Sequence, residues 1–230
     1  MTHFTRTGFA VRLLAALFVA IGVSASADAG LIVNGSFEDG AYTSFGGYQR
    51  LSNGDTSLTG WTVGGAAVDW HVGTPNPGLN PALINPHFGP AQDGSLVVDL
   101  NVDGGGVTGT ISQTFGTTIG HEYLLSFYLA GDERFPDPQL LVSIAGVNQV
   151  FTQPGSPLYQ KAWGLKTLDF IAIAPTTTLS FSSLDGSGYW GPLLDNVDVN
   201  AVNTVPEPAS FALLSTGMLG LIGFRTRRRS

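Results

Sequence analysis

Through the middle of the chain the apolar residues recur at every second position. In Tyr123-Leu124-Leu125-Ser126-Phe127-Tyr128-Leu129 the odd positions form one bulky face, the spacing of a strand with one side in a core. Similar short runs occur at Leu96 to Leu100, Thr110 to Phe115, Leu140 to Ile144, Leu165 to Ile173, Thr178 to Ser182 and Leu193 to Val199. Each is bounded by Gly, Pro, Asn or Asp, which break or turn a strand. No stretch of this body carries a helical period. About eight to ten short strands punctuated in this way predict an all-β fold, a single jelly-roll β-sandwich. Two stretches read as long loops, where binding surfaces tend to be built: Gly40 to Leu58, rich in Gly, Ser and Thr, and the proline-rich Gly73 to Gly94. Gly104 to Gly109 satisfies GxGxxG by count, but it leads into a strand rather than a helix and so predicts a turn.

The two ends break the alternation. Arg6 and Arg12 precede an apolar run from Leu13 to Val23, and Ala25, Ala27 and Ala29 offer cleavage sites, so residues 1–29 read as a secretory signal peptide. At the other end Ala209 to Phe224 has no charged residue. As a helix these positions would extend roughly 24 Å, a little short of the ~30 Å hydrocarbon layer of a bilayer. Arg225, Arg227, Arg228 and Arg229 follow, the positive charge of a cytoplasmic end, which leaves the body on the other side. Val205-Pro206-Glu207-Pro208, an apolar span and a basic end together resemble the PEP-CTERM sorting signal of Gram-negative bacteria. That resemblance implies transient anchoring in the inner membrane and cutting near Pro-Glu-Pro by an exosortase-type membrane protease. The body would then pass to the cell surface, outer membrane or extracellular matrix. The alternative is an ordinary anchor that is never cut. The chain thus divides into a signal peptide (1–29), a sandwich (30–200), a linker (201–204) and a sorting segment (205–230).

Charge changes its meaning once the ends are set aside. The body keeps Arg50, Arg134, Lys161 and Lys166 against fifteen acids, a net charge of −11. Such a surface repels phosphate backbones and attracts cations, which argues against nucleic acid as a partner and for calcium as a plausible one. With no cysteine, the exported body must be held by its core without disulfides.

Near the start of the body stands Asn34-Gly35-Ser36-Phe37-Glu38, then Gly60-Trp61; near its end stands Leu194-Asp195-Asn196-Val197-Asp198-Val199. These motifs resemble the galactose-binding-like sandwiches of carbohydrate-binding modules. With Ile111 to Phe115 and Tyr123 to Phe127 added, the body is similar to the bacterial choice-of-anchor C family, itself similar to a plant cell-wall family of uncharacterised function. The resemblance implies a structural calcium ion tying the first strand to the last, with Glu38 and Asp195 as ligands and the backbone near Asn34 assisting. The alternative is that both carboxylates hydrogen-bond turn amides.

A second acidic spacing, Asp99-Leu100-Asn101-Val102-Asp103-Gly104, fits half of an EF-hand loop, but its twelfth position is Thr110. These residues read instead as the outward side of a strand whose Val98, Leu100 and Val102 face inward. The aromatics offer sugar chemistry, since a ring can stack on the C–H face of a sugar while carboxylates or amides meet its hydroxyls. Trp70 with Asp69 and His71, and Tyr189 with Trp190, have that composition. Trp61 and Trp163 read as core residues, and Trp70, alternating with Val68 and Val72, has the same alternative. No nucleophile elbow, zinc spacing or selected carboxylate pair marks an enzyme. The expected function is non-catalytic binding of an extracellular polysaccharide, with a structural matrix or adhesion protein and a glycoside hydrolase as alternatives.

Overall fold

The computed structural model describes residues 30–43, 47–73, 89–102, 108–132, 137–156, 162–185 and 191–202. The expected signal peptide, the sorting segment and the pair Tyr189-Trp190 lie outside the described residues. What is described is all-β: two sheets packed face to face around one apolar core.

The strands, in chain order, are β1 Tyr48–Ser52, β2 Thr62–Gly65, β3 Ala67–Val72, β4 Leu96–Asp99, β5 Gly109–Gly116, β6 Glu122–Asp132, β7 Gln139–Ile144, β8 Val147–Thr152, β9 Gly155–Ser156, β10 Gly164–Ile171, β11 Thr176–Ser183 and β12 Leu193–Ala201. The larger sheet has the order β1-β3-β4-β12-β6-β10, with β9 added beside β6; the smaller has the order β2-β5-β11-β7-β8. All seven runs chosen by alternation are strands. Gly40 to Leu58, expected to be one loop, contains β1, which pairs with β3 from Tyr48↔His71 to Ser52↔Ala67. Its polar composition hid it, because β1 buries only Leu51 fully.

Inward-facing residues of both sheets fill the core, including Leu125, Phe127 and Leu129 of β6 and Leu179 and Phe181 of β11. Trp61 tilts against Phe37 and Phe181, and Phe127 meets Phe181 and Phe151 edge to face. Such ring pairs add to the stabilisation from burial itself.

The segment Asn34 to Glu38 closes one side of this core. Asn34 adopts a φ of 55°, a conformation asparagine tolerates better than most residues. Its side chain donates to the carbonyls of Asp39 and Thr59 and accepts the N–H of Asp39. Phe37 is fully buried, and a Cβ at Gly35 would run into the carbonyl of Val197. Trp61 and Trp70 donate their indole N–H groups to the carbonyls of Asn34 and Phe37. The motif that carried the family resemblance is therefore a structural latch.

Both ends of the described body leave from one end of the sandwich. There Leu31 N–H bonds the carbonyl of Val199 and Val202 N–H bonds that of Glu122. Call this end the base. The opposite, loop end carries the connections after β4, β6, β9 and β11.

Candidate functional site

The outer face of the larger sheet departs from ordinary alternation. Every residue of β3 and β4 is buried, so both faces of these strands are covered. Trp70, Val98 and Val68 point into the core, which turns Asp69, His71 and Asp99 outward. The ladder sets Arg50 opposite Asp69, Asp69 opposite Asp99, Asp99 opposite Leu193, and Leu193 opposite Ala130. Near the loop end these residues form one row, polar on the β1 side and apolar on the β6 side.

The polar half is tied by short bonds. Arg50 Nε and Nη2 donate to the two carboxylate oxygens of Asp69 at 2.9 and 3.0 Å, a bidentate pair with Asp69 almost fully buried. Asp99 Oδ1 accepts the N–H groups of Asn101 at 2.9 Å and Gly191 at 3.1 Å. Asn101 Nδ2 donates to the carbonyl of Asp185 at 2.9 Å, and Asp185 Oδ2 accepts the N–H of Gln139 at 2.6 Å. Burial pushes the Asp185 carboxyl above its ordinary range, against the lowering effect of that N–H. At Gly191 a Cβ would lie 2.6 Å from Asn101 Cγ, so only glycine lets the loop come this close.

The loop between Asp185 and Gly191, which contains Tyr189 and Trp190, is thus held at both ends by the Asp99–Asn101 pair. The apolar end of the row carries Trp163. Its half-buried ring packs on Ala130 and Leu193, and its indole N–H donates to the carbonyl of Pro90 at 3.0 Å.

Several expectations change here. Trp70 is not a ligand platform: it is fully buried, packs edge-on against Tyr42 and is bonded to Phe37. Alternation with Val68 and Val72 prevails. His71 is buried on the opposite face against the ring of Tyr48, 5.5 Å away, and Asp69 is engaged by Arg50. Neither is an open sugar contact, although Asp69 does belong to the row in which Asp99 holds Gly191. Trp163, expected in the main core, belongs to the outer face instead. The signal was present: Leu168 and Phe170 point inward, so odd positions of this run, extended back to 163, point outward. Arg50 was missed because it lay in the supposed loop.

Glu38 and Asp195 come together on one turn. Glu38 Oε1 accepts the N–H groups of Ser95 and Leu96 at 2.7 and 2.6 Å; Asp195 Oδ2 accepts those of Gln92 and Asp93 at 2.8 and 3.0 Å. Asp195 Oδ1 accepts the N–H of Asn196 at 2.7 Å. Burial pushes the Asp195 carboxyl up to about 7, despite these N–H groups, with the Asp93 carboxylate adding to the rise. Calcium takes six to eight oxygen ligands. Both carboxylates already accept backbone N–H groups, and among the described residues no cluster of three metal-ligating side chains forms. The pair acts here as a clamp on the turn that feeds β4.

An open cavity of about 550 Å³ lies at the base, between Thr117, His121, Tyr123, Pro175 and Asn200. Its main polar groups are already paired, Thr118 N–H with Tyr123 Oη and Thr117 Oγ1 with the carbonyl of Ala174. It sits seven residues of β6 below the row, about 23 Å at the usual rise of a strand.

The family described as "Protein of unknown function (DUF642)" matches residues 30–200. The chain belongs to the DUF642 family. A PEP-CTERM protein-sorting motif matches residues 204–229, so this DUF642 protein is exported and sorted to the cell envelope, with exosortase processing implied. It is 28% identical over 218 residues to Halomucin of Haloquadratum walsbyi (strain DSM 16790 / HBSQ001), a match over 87% of this chain and 2% of that protein. Among solved structures it is similar to TmCBM61 in complex with beta-1,4-galactotriose, with 14% identity, a TM-score of 0.43 and coverage of 75% of this chain and 99% of that one. It is also similar to the CBM22-1 xylan-binding domain from Paenibacillus barcinonensis Xyn10C, with 15% identity, a TM-score of 0.43 and coverage of 68% and 95%.

Proposed function

We propose that this DUF642 protein is a non-catalytic carbohydrate-binding protein that takes an extracellular polysaccharide at the loop end of its larger sheet. The observation that carries the reading is the loop bearing Tyr189 and Trp190, fastened at Asp185 and Gly191 to a row with Arg50 and Asp69 at one end and Trp163 at the other. Aromatic rings beside anchored polar groups are the chemistry that a sugar, apolar on its C–H faces and polar at its hydroxyls, requires. Of the row's buried carboxylates, Asp99 is engaged in holding the loop and Asp69 in its pair with Arg50, so in this reading they serve as frame rather than as acid and base. Export in this reading uses residues 1–29 as a signal peptide in a Gram-negative envelope, consistent with the resemblance to the choice-of-anchor C group. In this reading Glu38 and Asp195 hold the turn that feeds β4 through its backbone N–H groups.

The row lies at the end of the sandwich opposite Val202, the last described residue.

A glycan array with the exported protein tests this. Saturable binding to one sugar class is expected, weakened about tenfold or more by Trp190→Ala or Trp163→Ala, the range of an aromatic anchor. A blank array, or binding that both variants leave intact, overturns the reading.

A further inference from the structure

The two sheets carry charge very unequally. The strands of the larger sheet hold Arg50, Asp69, Asp99, Glu122, Asp132, Lys166, Asp169, Asp195 and Asp198. Those of the smaller sheet, β2, β5, β11, β7 and β8, hold no charged residue at all. In a body of net charge −11 the strands of this sheet bring no charge of their own against a second copy.

A sheet edge with unpaired N–H and C=O groups templates further pairing, and proteins usually blunt such edges with charge, proline, shortness or a covering loop. Three of the four edges are blunted in this way. β10 carries Lys166 and Asp169, and β1 carries Arg50. β2 has only four residues, and the turn at Asn53–Asp55 covers it through bonds from Gly54 N–H to the Val63 carbonyl and from Val63 N–H to the Asp55 carbonyl. Among the described residues β8 has none of these protections. It is the terminal strand of its sheet, six residues long, without charge or proline, and all of it but Phe151 is exposed. Val150 is 49% exposed, while Phe151 is half-buried against Phe127 and anchors the strand.

We infer that the free edge of β8 pairs with the β8 edge of a second copy of this chain, antiparallel and about a two-fold axis near Gln149 and Val150. The two five-stranded sheets then continue as one of ten strands. An antiparallel strand edge is complementary to itself, so one uncharged segment suffices for a closed dimer.

The pairing has a geometric consequence. β8 starts beside the base, where Gly146 approaches the side chain of Ile173, and runs toward the loop end. Antiparallel pairing therefore points the two bases in opposite directions.

The absence of cysteine allows a direct test on the exported protein. Under mild oxidation Gln149→Cys is expected to form a covalent dimer, whereas Thr167→Cys on charged β10 stays monomeric. Sedimentation velocity of the unmodified protein is expected to show a dimer that strengthens with salt, as screening weakens the mutual repulsion. Val150→Lys is expected to weaken that dimer about tenfold or more without lowering the Tm of the dilute monomer, because this side chain lies outside the core. A protein that stays monomeric at all concentrations and salt levels overturns the inference. So does a dimer indifferent to Val150→Lys, or equal cross-linking at 149 and 167.

Discussion

The outer faces of the two sheets solve the same problem differently. On the smaller sheet many outward positions are small hydroxyl residues in register: Thr62, Ser112, Ser180 and Ser143 run across one row, and Thr114 faces Thr178 with their hydroxyls 2.8 Å apart. They are half-buried or exposed, and substitution should cost little. On the larger sheet the equivalent face buries Asp69, His71, Asp99 and Asp195, groups that are costly to remove from water unless each is held by specific partners. A face that carries such a cost is organised for a task. A face of exposed hydroxyls serves the scaffold, and its freedom from charge leaves it open to self-pairing.

The largest test of this contrast is pH. The folded carboxyl of Asp195 sits near 7 and the ordinary value is 3.8, so between these limits the folded state binds the extra proton. Stability contributed by that proton is fully present below about pH 4 and lost as pH rises through about 7. The shift corresponds to at most about 4 kcal/mol. Asp185, raised in the same direction, adds to the slope. Thermal melts are expected to show Tm falling from pH 4 to pH 8, and Asp195→Asn to flatten most of that fall. A Tm that rises over this range contradicts the burial of Asp195 as a strained acid.

Next in size, Asp99→Ala strips the acceptor from two backbone N–H groups and should cost about 3 kcal/mol, read by chemical denaturation. It should also release the 186–190 loop, so sugar retention falls together with stability. Arg50→Ala leaves a buried Asp69 without its bidentate partner. Because Arg50 is 40% exposed, solvent screens the loss, and about 2 kcal/mol is expected. Arg50→Lys should recover only part of this, since an ammonium cannot form the two parallel bonds.

Calcium added to chelator-treated protein is expected to change Tm by less than about 2 °C, because binding confined to the native state stabilises only where affinity exists. A large rise would turn the Glu38–Asp195 clamp into a metal site. Smallest of all, Thr178→Val on the hydroxyl face should shift stability by no more than about 0.5 kcal/mol. An effect matching that of Asp99→Ala would erase the distinction between the two faces.

The strands were legible because period two survives wherever one face is wet. Phe127 and Leu129 declare their side without help. β3 was harder to read: with both faces buried, Trp70, Asp69 and His71 stand together in the sequence as if they shared a site. In the sheet the tryptophan and its neighbours point in opposite directions. Asp99 and Asn101 looked like half an ion-binding loop, yet their oxygens and nitrogens serve a loop more than eighty residues away.

The sequence by itself determined the alternation, the charge of the body, the lack of cysteine and the motifs at the tail, because each is a property of neighbouring positions or of composition. Only the tertiary structure decided that Glu38 and Asp195 grip one turn, that Arg50 meets Asp69, that Trp163 faces outward beside Leu193, and that among the described residues one edge is left unguarded. Those facts depend on strand order and register. Both arise when distant segments compete to bury their apolar faces, and no local pattern records the outcome of that competition.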